Sequence, residues 1–241
     1  MVAEVISRHF GVLLPSTNTT VELEYTRLLP ATLLAHYARL GKDSPTPFRP
    51  SRDEDLIYQT QLLANAHVEV IALTQTSASM FDDGYDTFVA QTIAAHSGIS
   101  PVISAQAIGQ ALRTLKASRI ALISPYSQEV MARTKRYYET RYDIEVLATD
   151  AFGATDSYAI GALTPAHATE AFARVNHVDI DAFVLPGGNF PTMRFIAEWE
   201  QQWGKAILTT NQAVVWATMR ALDMEPSIPG LGTLLATPTA R

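Results

Sequence analysis

A chain of 241 residues that is 47% apolar and only 17% charged can bury a full core, which argues against extended disorder. Its net charge of −6, with no basic stripe, argues against nucleic-acid binding, and no apolar run approaches the ~20 residues of a membrane span. There is no cysteine, which excludes disulfides, thiolate metal ligands and thiol nucleophiles; "MVAEVISRHF" has no basic-then-apolar leader, so the expected location is cytoplasmic.

Short apolar runs alternate with longer helical patterns. "HFGVLLP" predicts a strand and "TTVELEYTRLLP" a helix, with Asn18 or Thr19 as N-cap and Glu22 in its first turn. "ATLLAHYARL" predicts a strand, and the three-proline loop "GKDSPTPFRPS" is long enough to cover something. Ser51 or Asp53 is expected to cap a helix over "DLIYQTQLLANAH", before the strand "VEVIALT". Helices over 85–97 and 105–117 flank the short strand "GISPVIS". The second half restarts with the strand "RIALISP", the helix "YSQEVMARTKRYYETRY", the strand "DIEVLAT" and the loop "DAFGATDS". Then come a helix opened by Thr164 and Pro165, the strand "DAFVLP", the helix "PTMRFIAEWEQQW", the strand "KAILTT" and the helix "NQAVVWATMRALDM". The Pro- and Gly-containing tail "EPSIPGLGTLLATPTAR" predicts an irregular end.

Strands alternating with helices point to parallel sheet in a layered α/β fold. "GVLLPSTNTTVE" matches "IALISPYSQEVM", and "VIALTQTSASM" matches "AFVLPGGNFPTM". Pro15 and Pro125 stand 110 positions apart, and Thr74 and Pro186 stand 112 apart, which points to an internal repeat of about half the chain. The expected division is residues 1–116 and 117–210, with 211–241 packing back on the first half. Ligands of open parallel sheets bind beyond the carboxyl ends of the strands. That directs attention to loops 15–20, 74–79, 125–129 and 186–192, which a pseudo-dyad would bring together across one cleft.

These loops carry uncharged donors. "PSTNTT" stands at a helix N-terminus, where free N–H groups favour an anion, although simple capping also explains it. Thr76 and Ser77 can each donate to a carboxylate oxygen. Tyr126 can project its hydroxyl into a cleft or merely pack. Gly187 and Gly188 permit close backbone approach and an anion nest, but form neither a dinucleotide fingerprint nor a Walker loop. His9, His36, His67, His96, His167 and His177 show no metal-ligand spacing, and "FDDGYD" lacks the rest of a calcium loop and suits a helix cap. No metal site is expected.

Taken in order, "GVLLPSTNTTVELE", "ALTQTSAS", "ISPYSQEV", "DAFVLPGGNFPT" and "ILTTNQAVVWATMRAL" resemble motifs of the aspartate/glutamate racemase superfamily, in its maleate cis-trans isomerase and arylmalonate decarboxylase branch, over about residues 8–222. The resemblance implies two pseudo-symmetric halves, each a parallel four-stranded sheet flanked by helices, with the active site at the interface between them. It also implies a small carboxylate substrate, no metal or organic cofactor, and a homo-oligomer. Carried over, Asn18, Thr76, Ser77 and Tyr126 fall on carboxylate-holding positions, with Gly188 and Asn189 in the fourth loop. Ser157 falls where maleate isomerases tend to have Asn.

The departure from the family pattern lies at its two cysteines. The first position holds Gln75 and the second Gly187. Isomerisation by thiol addition and two-base racemisation lose their reactive groups. Decarboxylation needs a held carboxylate, an apolar pocket, a stabilised enediolate and one proton donor; Tyr126, a water beside Gly187, or Asp156 can fill that last role. The resemblance therefore implies a cofactor-independent lyase of decarboxylase type. The alternatives are an isomerase, a hydratase or hydrolase in which Gln75 positions water, and a catalytically silent carboxylate binder.

Overall fold

The computed structural model describes residues 7–42 and 48–236, so part of the three-proline loop, residues 43–47, lies outside the described residues. Strands β1 (Arg8–Pro15), β2 (Leu33–Leu40), β3 (Val70–Leu73) and β4 (Ser100–Ile103) form a parallel sheet in the order β2-β1-β3-β4. Strands β5 (Arg119–Ser124), β6 (Glu145–Ala151), β7 (Ala182–Leu185) and β8 (Ala206–Thr209) form a second, in the order β6-β5-β7-β8. The two orders are the same, which is the structural form of the internal repeat. Every residue of β3 and β7 is buried, as expected where helices cover both faces of a parallel sheet.

The first sheet is accompanied by α1 (Val21–Leu28), α2 (Asp53–Asn65), α3 (Tyr85–Ser97) and α4 (Ser104–Leu115). The second is accompanied by α5 (Gln128–Tyr142), α6 (Ser157–Gly161), α7 (Pro165–Val175), α8 (Ile196–Trp203) and α9 (Thr210–Ala221). The fold is α/β, with two four-stranded parallel sheets flanked by helices. Helix α9 leaves β8 of the second sheet but packs on α4 and β4 beside the first. Its residues from Thr210 to Met219 are all buried. The tail beyond it is irregular but packed. Ile228, Leu231, Leu234 and Leu235 are buried, each worth roughly 1.5–3 kcal/mol relative to exposure, and Gln212 Nε2 donates to the Leu231 carbonyl at 2.6 Å.

Local chemistry explains where the elements depart from expectation. Asn18 does serve the start of α1, its Oδ1 accepting from the N–H groups of Thr20 at 2.9 Å and Val21 at 3.0 Å. Neither Ser51 nor Asp53 caps α2, whose N-cap position is Arg52; the Ser51 hydroxyl is engaged with Gln75 instead. Helix α6 interrupts a stretch read partly as loop. Asp156 caps it, accepting from the Ala159 N–H at 3.0 Å, and five residues are too few to show helical periodicity.

Candidate active site

The carboxyl ends of the inner strands β1, β3, β5 and β7 deliver four loops to one place. Pro15, Thr17 and Asn18, then Thr74 to Ser77, then Tyr126, then Gly187 to Asn189 enclose a cavity of about 50 Å³, closed by Phe48 and by Ser157 and Ile160 of α6. Every site residue singled out from the sequence borders it: Asn18, Gln75, Thr76, Ser77, Tyr126, Ser157, Gly187, Gly188 and Asn189. Asp156 does not. A larger groove of about 480 Å³ runs between α4 and α9, and none of the four loops reaches it.

Among the described residues the wall carries no Asp, Glu, His, Lys or Arg. What it offers is donors. The N–H groups of Thr76, Ser77, Gly188 and Asn189 find no acceptor among the described residues. Asn18 uses its Oδ1 on the start of α1, which leaves its amide nitrogen for the cavity. The Thr17 hydroxyl is buried without a partner. Unpaired neutral donors with no competing acid suit an anion.

Other polar groups of the wall are already engaged. Asn189 Oδ1 accepts from the Thr19 N–H at 2.8 Å and its Nδ2 donates to the Ser157 carbonyl at 2.6 Å, fastening α6 to the first loop. The Thr76 hydroxyl donates to Ser104 Oγ at 3.1 Å and lies 3.2 Å from Thr210 Oγ1, which accepts from the Gly187 N–H at 2.9 Å. That hydroxyl chain ties the strand-end loops of both halves together behind the cavity, so Thr76 faces a ligand with its N–H rather than its hydroxyl. Asn211 Nδ2 donates to the Gly188 carbonyl at 3.0 Å and to Glu24 Oε2 at 2.7 Å. Glu24 Oε1 accepts from the Thr192 and Met193 N–H groups, and burial pushes its carboxyl up to about 7 against these hydrogen bonds. Thr210, Asn211, Glu24 and Phe48 were not among the residues picked from the sequence. The motif "TTNQ" marked the first two without revealing their partners.

Tyr126 is the one titratable group among the described residues of the wall. Burial raises its pKa well above the ordinary phenol value, a shift partly offset by a hydrogen bond with Ser77, so it is a neutral phenol at physiological pH. The Phe48 ring packs 5.2 Å from the Tyr126 ring. Phe48 holds φ at +68°, a left-handed conformation that costs a bulky residue roughly 1–3 kcal/mol.

Residues 11–235 match the arylmalonate decarboxylase family. The chain belongs to that family. A curated relative, the maleate isomerase of Pseudomonas putida, is 29% identical over 241 residues, spanning 94% of this chain and 96% of its own. The crystal structure of a cysteine-to-alanine variant of maleate isomerase from Pseudomonas putida S16 with maleate superposes with a TM-score of 0.88 at 26% identity, covering 95% of this chain and 98% of that one. A Nocardia farcinica maleate cis-trans isomerase, solved as a cysteine-to-serine variant with a covalently bound succinylcysteine intermediate, shares the fold with a TM-score of 0.83 at 24% identity, covering 95% and 98%.

Within the arylmalonate decarboxylase family this member is cysteine-free. The geometry at the two positions where the resemblance implies a cysteine is specific. Gln75 engages both ends of its amide on one segment: Oε1 accepts from Ser51 Oγ at 3.0 Å and Nε2 donates to the Arg49 carbonyl at 3.0 Å. Gly187 adopts φ +127°, and a β-carbon there would lie 2.9 Å from Pro125 Cγ and 3.6 Å from the Tyr126 hydroxyl. A thiol at 187 does not fit this backbone, and the phenol oxygen stands beside the space it would need.

Proposed function

We propose that this chain is a cofactor-independent, cysteine-free lyase that decarboxylates a small malonate-type carboxylic acid. The observation that carries the reading is Tyr126, a buried neutral phenol whose oxygen lies 3.6 Å from the β-carbon position of residue 187, where the family resemblance implies a thiol. The retained carboxylate is held by Asn18 and by the N–H groups of Thr76, Ser77, Gly188 and Asn189. The departing carboxylate faces the apolar wall of Phe48 and Ile160, where its charge is poorly solvated. The bond to the α-carbon breaks, carbon dioxide leaves, and the electron pair moves into the retained carboxylate as an enediolate, stabilised by the same donors. The α-carbon then takes the Tyr126 proton, and water reprotonates the phenolate.

A single acid with a raised pKa suits this reaction and not a two-base exchange. Isomerisation through a cysteine adduct, the species captured in the Nocardia enzyme, has no thiol here to form it. A hydratase that uses Gln75 to position water is not favoured, because both ends of that amide are engaged.

The test is turnover of a panel of substituted malonates in deuterated water. Carbon dioxide release with one solvent deuterium at the α-carbon supports the reading. Binding without turnover across the panel would replace it by a silent carboxylate binder.

A further inference from the structure

We infer that Gln75 and Arg49 form a recognition unit selecting acids with a further, terminal carboxylate, which sits beyond the group held in the inner cavity, in a cleft outside Phe48. The inference rests on the proposed function only for the place of the first carboxylate. A cavity of about 50 Å³ holds few groups, since one water alone takes roughly 10–15 Å³ of such space. A chain longer than a malonate core must leave it. Phe48 is also a wall of a second cleft, of about 310 Å³, lined among others by Arg49, Phe81, Ser127, Glu129 and Thr155.

Among the described residues lining that outer cleft the charged ones are Arg49 and Glu129. The guanidinium groups of Arg49 and Arg133 lie 4.6 and 4.9 Å from the centroid of the Phe81 ring, whose face favours cations. Arg133 is spent on Glu129, with Nε and Nη2 donating to Oε1 at 3.2 and 3.1 Å. Arg49 has no acidic partner among the described residues. Glu129 is thus taken by Arg133, and Arg49 keeps its fork of donors for a bidentate anion. Ser127, the N-cap of α5, brings a helix N-terminus, with its positive field, to the same cleft.

Gln75 sets this arrangement. Its amide grips the Arg49 carbonyl and the Ser51 hydroxyl, fixing the chain on both sides of Pro50. The left-handed turn at Phe48 then places the phenyl ring on the inner cavity while Arg49 lines the outer cleft. At the position where relatives are expected to carry a thiol, this chain carries a tether for a specificity element. Gln75 is a positioning residue, acting through Arg49.

The experiment is calorimetric titration of wild type, Arg49→Gln and Gln75→Leu with monocarboxylates and α,ω-dicarboxylates of matched chain length, with thermal melts to confirm folding. Wild type is expected to prefer the diacid by roughly three- to tenfold at the length that spans Phe48, and the preference is expected to shrink at high salt. Arg49→Gln is expected to erase the preference while monoacid affinity stays within about twofold; Gln75→Leu is expected to erase it too. Equal affinity for matched mono- and diacids in wild type, or a preference that survives Arg49→Gln, would overturn the inference while leaving the inner cradle standing. Failure of every acid to bind would overturn both. If Gln75→Leu does not fold, Arg49→Gln decides alone.

Discussion

The Tyr126 hydroxyl lies 3.6 Å from the point a β-carbon on Gly187 would occupy, and that β-carbon would meet Pro125 Cγ at 2.9 Å. The site is therefore built around a glycine, not merely short of a thiol. Gly187→Cys forces an L side chain into φ +127° against a proline ring. The expected cost is about 1–3 kcal/mol in urea unfolding, with no gain of maleate isomerisation. A variant as stable as wild type that isomerises maleate would show that the backbone accepts the thiol.

Tyr126→Phe removes the proposed proton donor and keeps the ring against Phe48. Turnover is expected to fall by about 10²–10⁴-fold, with substrate affinity changed only a few-fold. Burial raises the folded pKa of this phenol, so it stays protonated through neutral and mildly alkaline pH. The wild-type rate should then show no fall attributable to this acid between pH 6 and 9. Stopped-assay kinetics across that range check both points; a rate unchanged in the phenylalanine variant assigns the proton to another group.

Thr210 joins the halves through one hydroxyl. Thr210→Val keeps the shape but strands the buried Gly187 N–H and breaks the link to Thr76. The expected loss is about 1–3 kcal/mol of stability, with weaker carboxylate binding as both loops loosen. Thr210→Ser should restore both, since only the hydroxyl is required. A loss in the serine variant as large as in the valine variant would assign the effect to packing.

The strands, the repeat and the four loops were legible because their signals are local. An inner strand such as β3, buried on both faces, reads as an unbroken apolar run, and the loop at its end follows directly. The offsets of 110 and 112 positions carried the repeat in the same way. The roles of particular side chains were not legible, because their partners are remote. Gln75 is explained by Ser51 and Arg49, more than twenty positions upstream, and Glu24 by Asn211, 187 positions downstream. No periodicity encodes such pairings. Hydroxyl-rich "TQTSAS" gave the chemistry of the loop but not the direction of its side chains, so the Thr76 hydroxyl, expected at the ligand, lies in the wall instead.

Glu24 ties α1 to the 186–193 loop by accepting from Asn211 Nδ2 and the Thr192 and Met193 N–H groups, and burial holds its folded pKa near 7 against an ordinary 4.5. Between these values the folded chain keeps a proton that the unfolded chain has lost. Stability from this residue is therefore full below about 4.5 and declines as pH rises to about 7, by roughly 3 kcal/mol in all. Glu24→Gln keeps an acceptor for the two backbone N–H groups. Its amide nitrogen meets Asn211, whose Oδ1 has no partner among the described residues and can turn to accept only by giving up the Nδ2 bond to the Gly188 carbonyl, so a constant, pH-independent cost is expected. The variant is thus expected to lose the decline without losing the fold. Asp181 and Glu69, whose pKa values are lowered, contribute the opposite slope at acid pH, but equally in both proteins. The difference in unfolding free energy between wild type and variant isolates Glu24. Urea titrations at pH 4.5, 5.5, 6.5 and 7.5 should show that difference moving in the variant's favour as pH rises. Parallel curves would mean that Glu24 titrates in the fold as it does in the open chain.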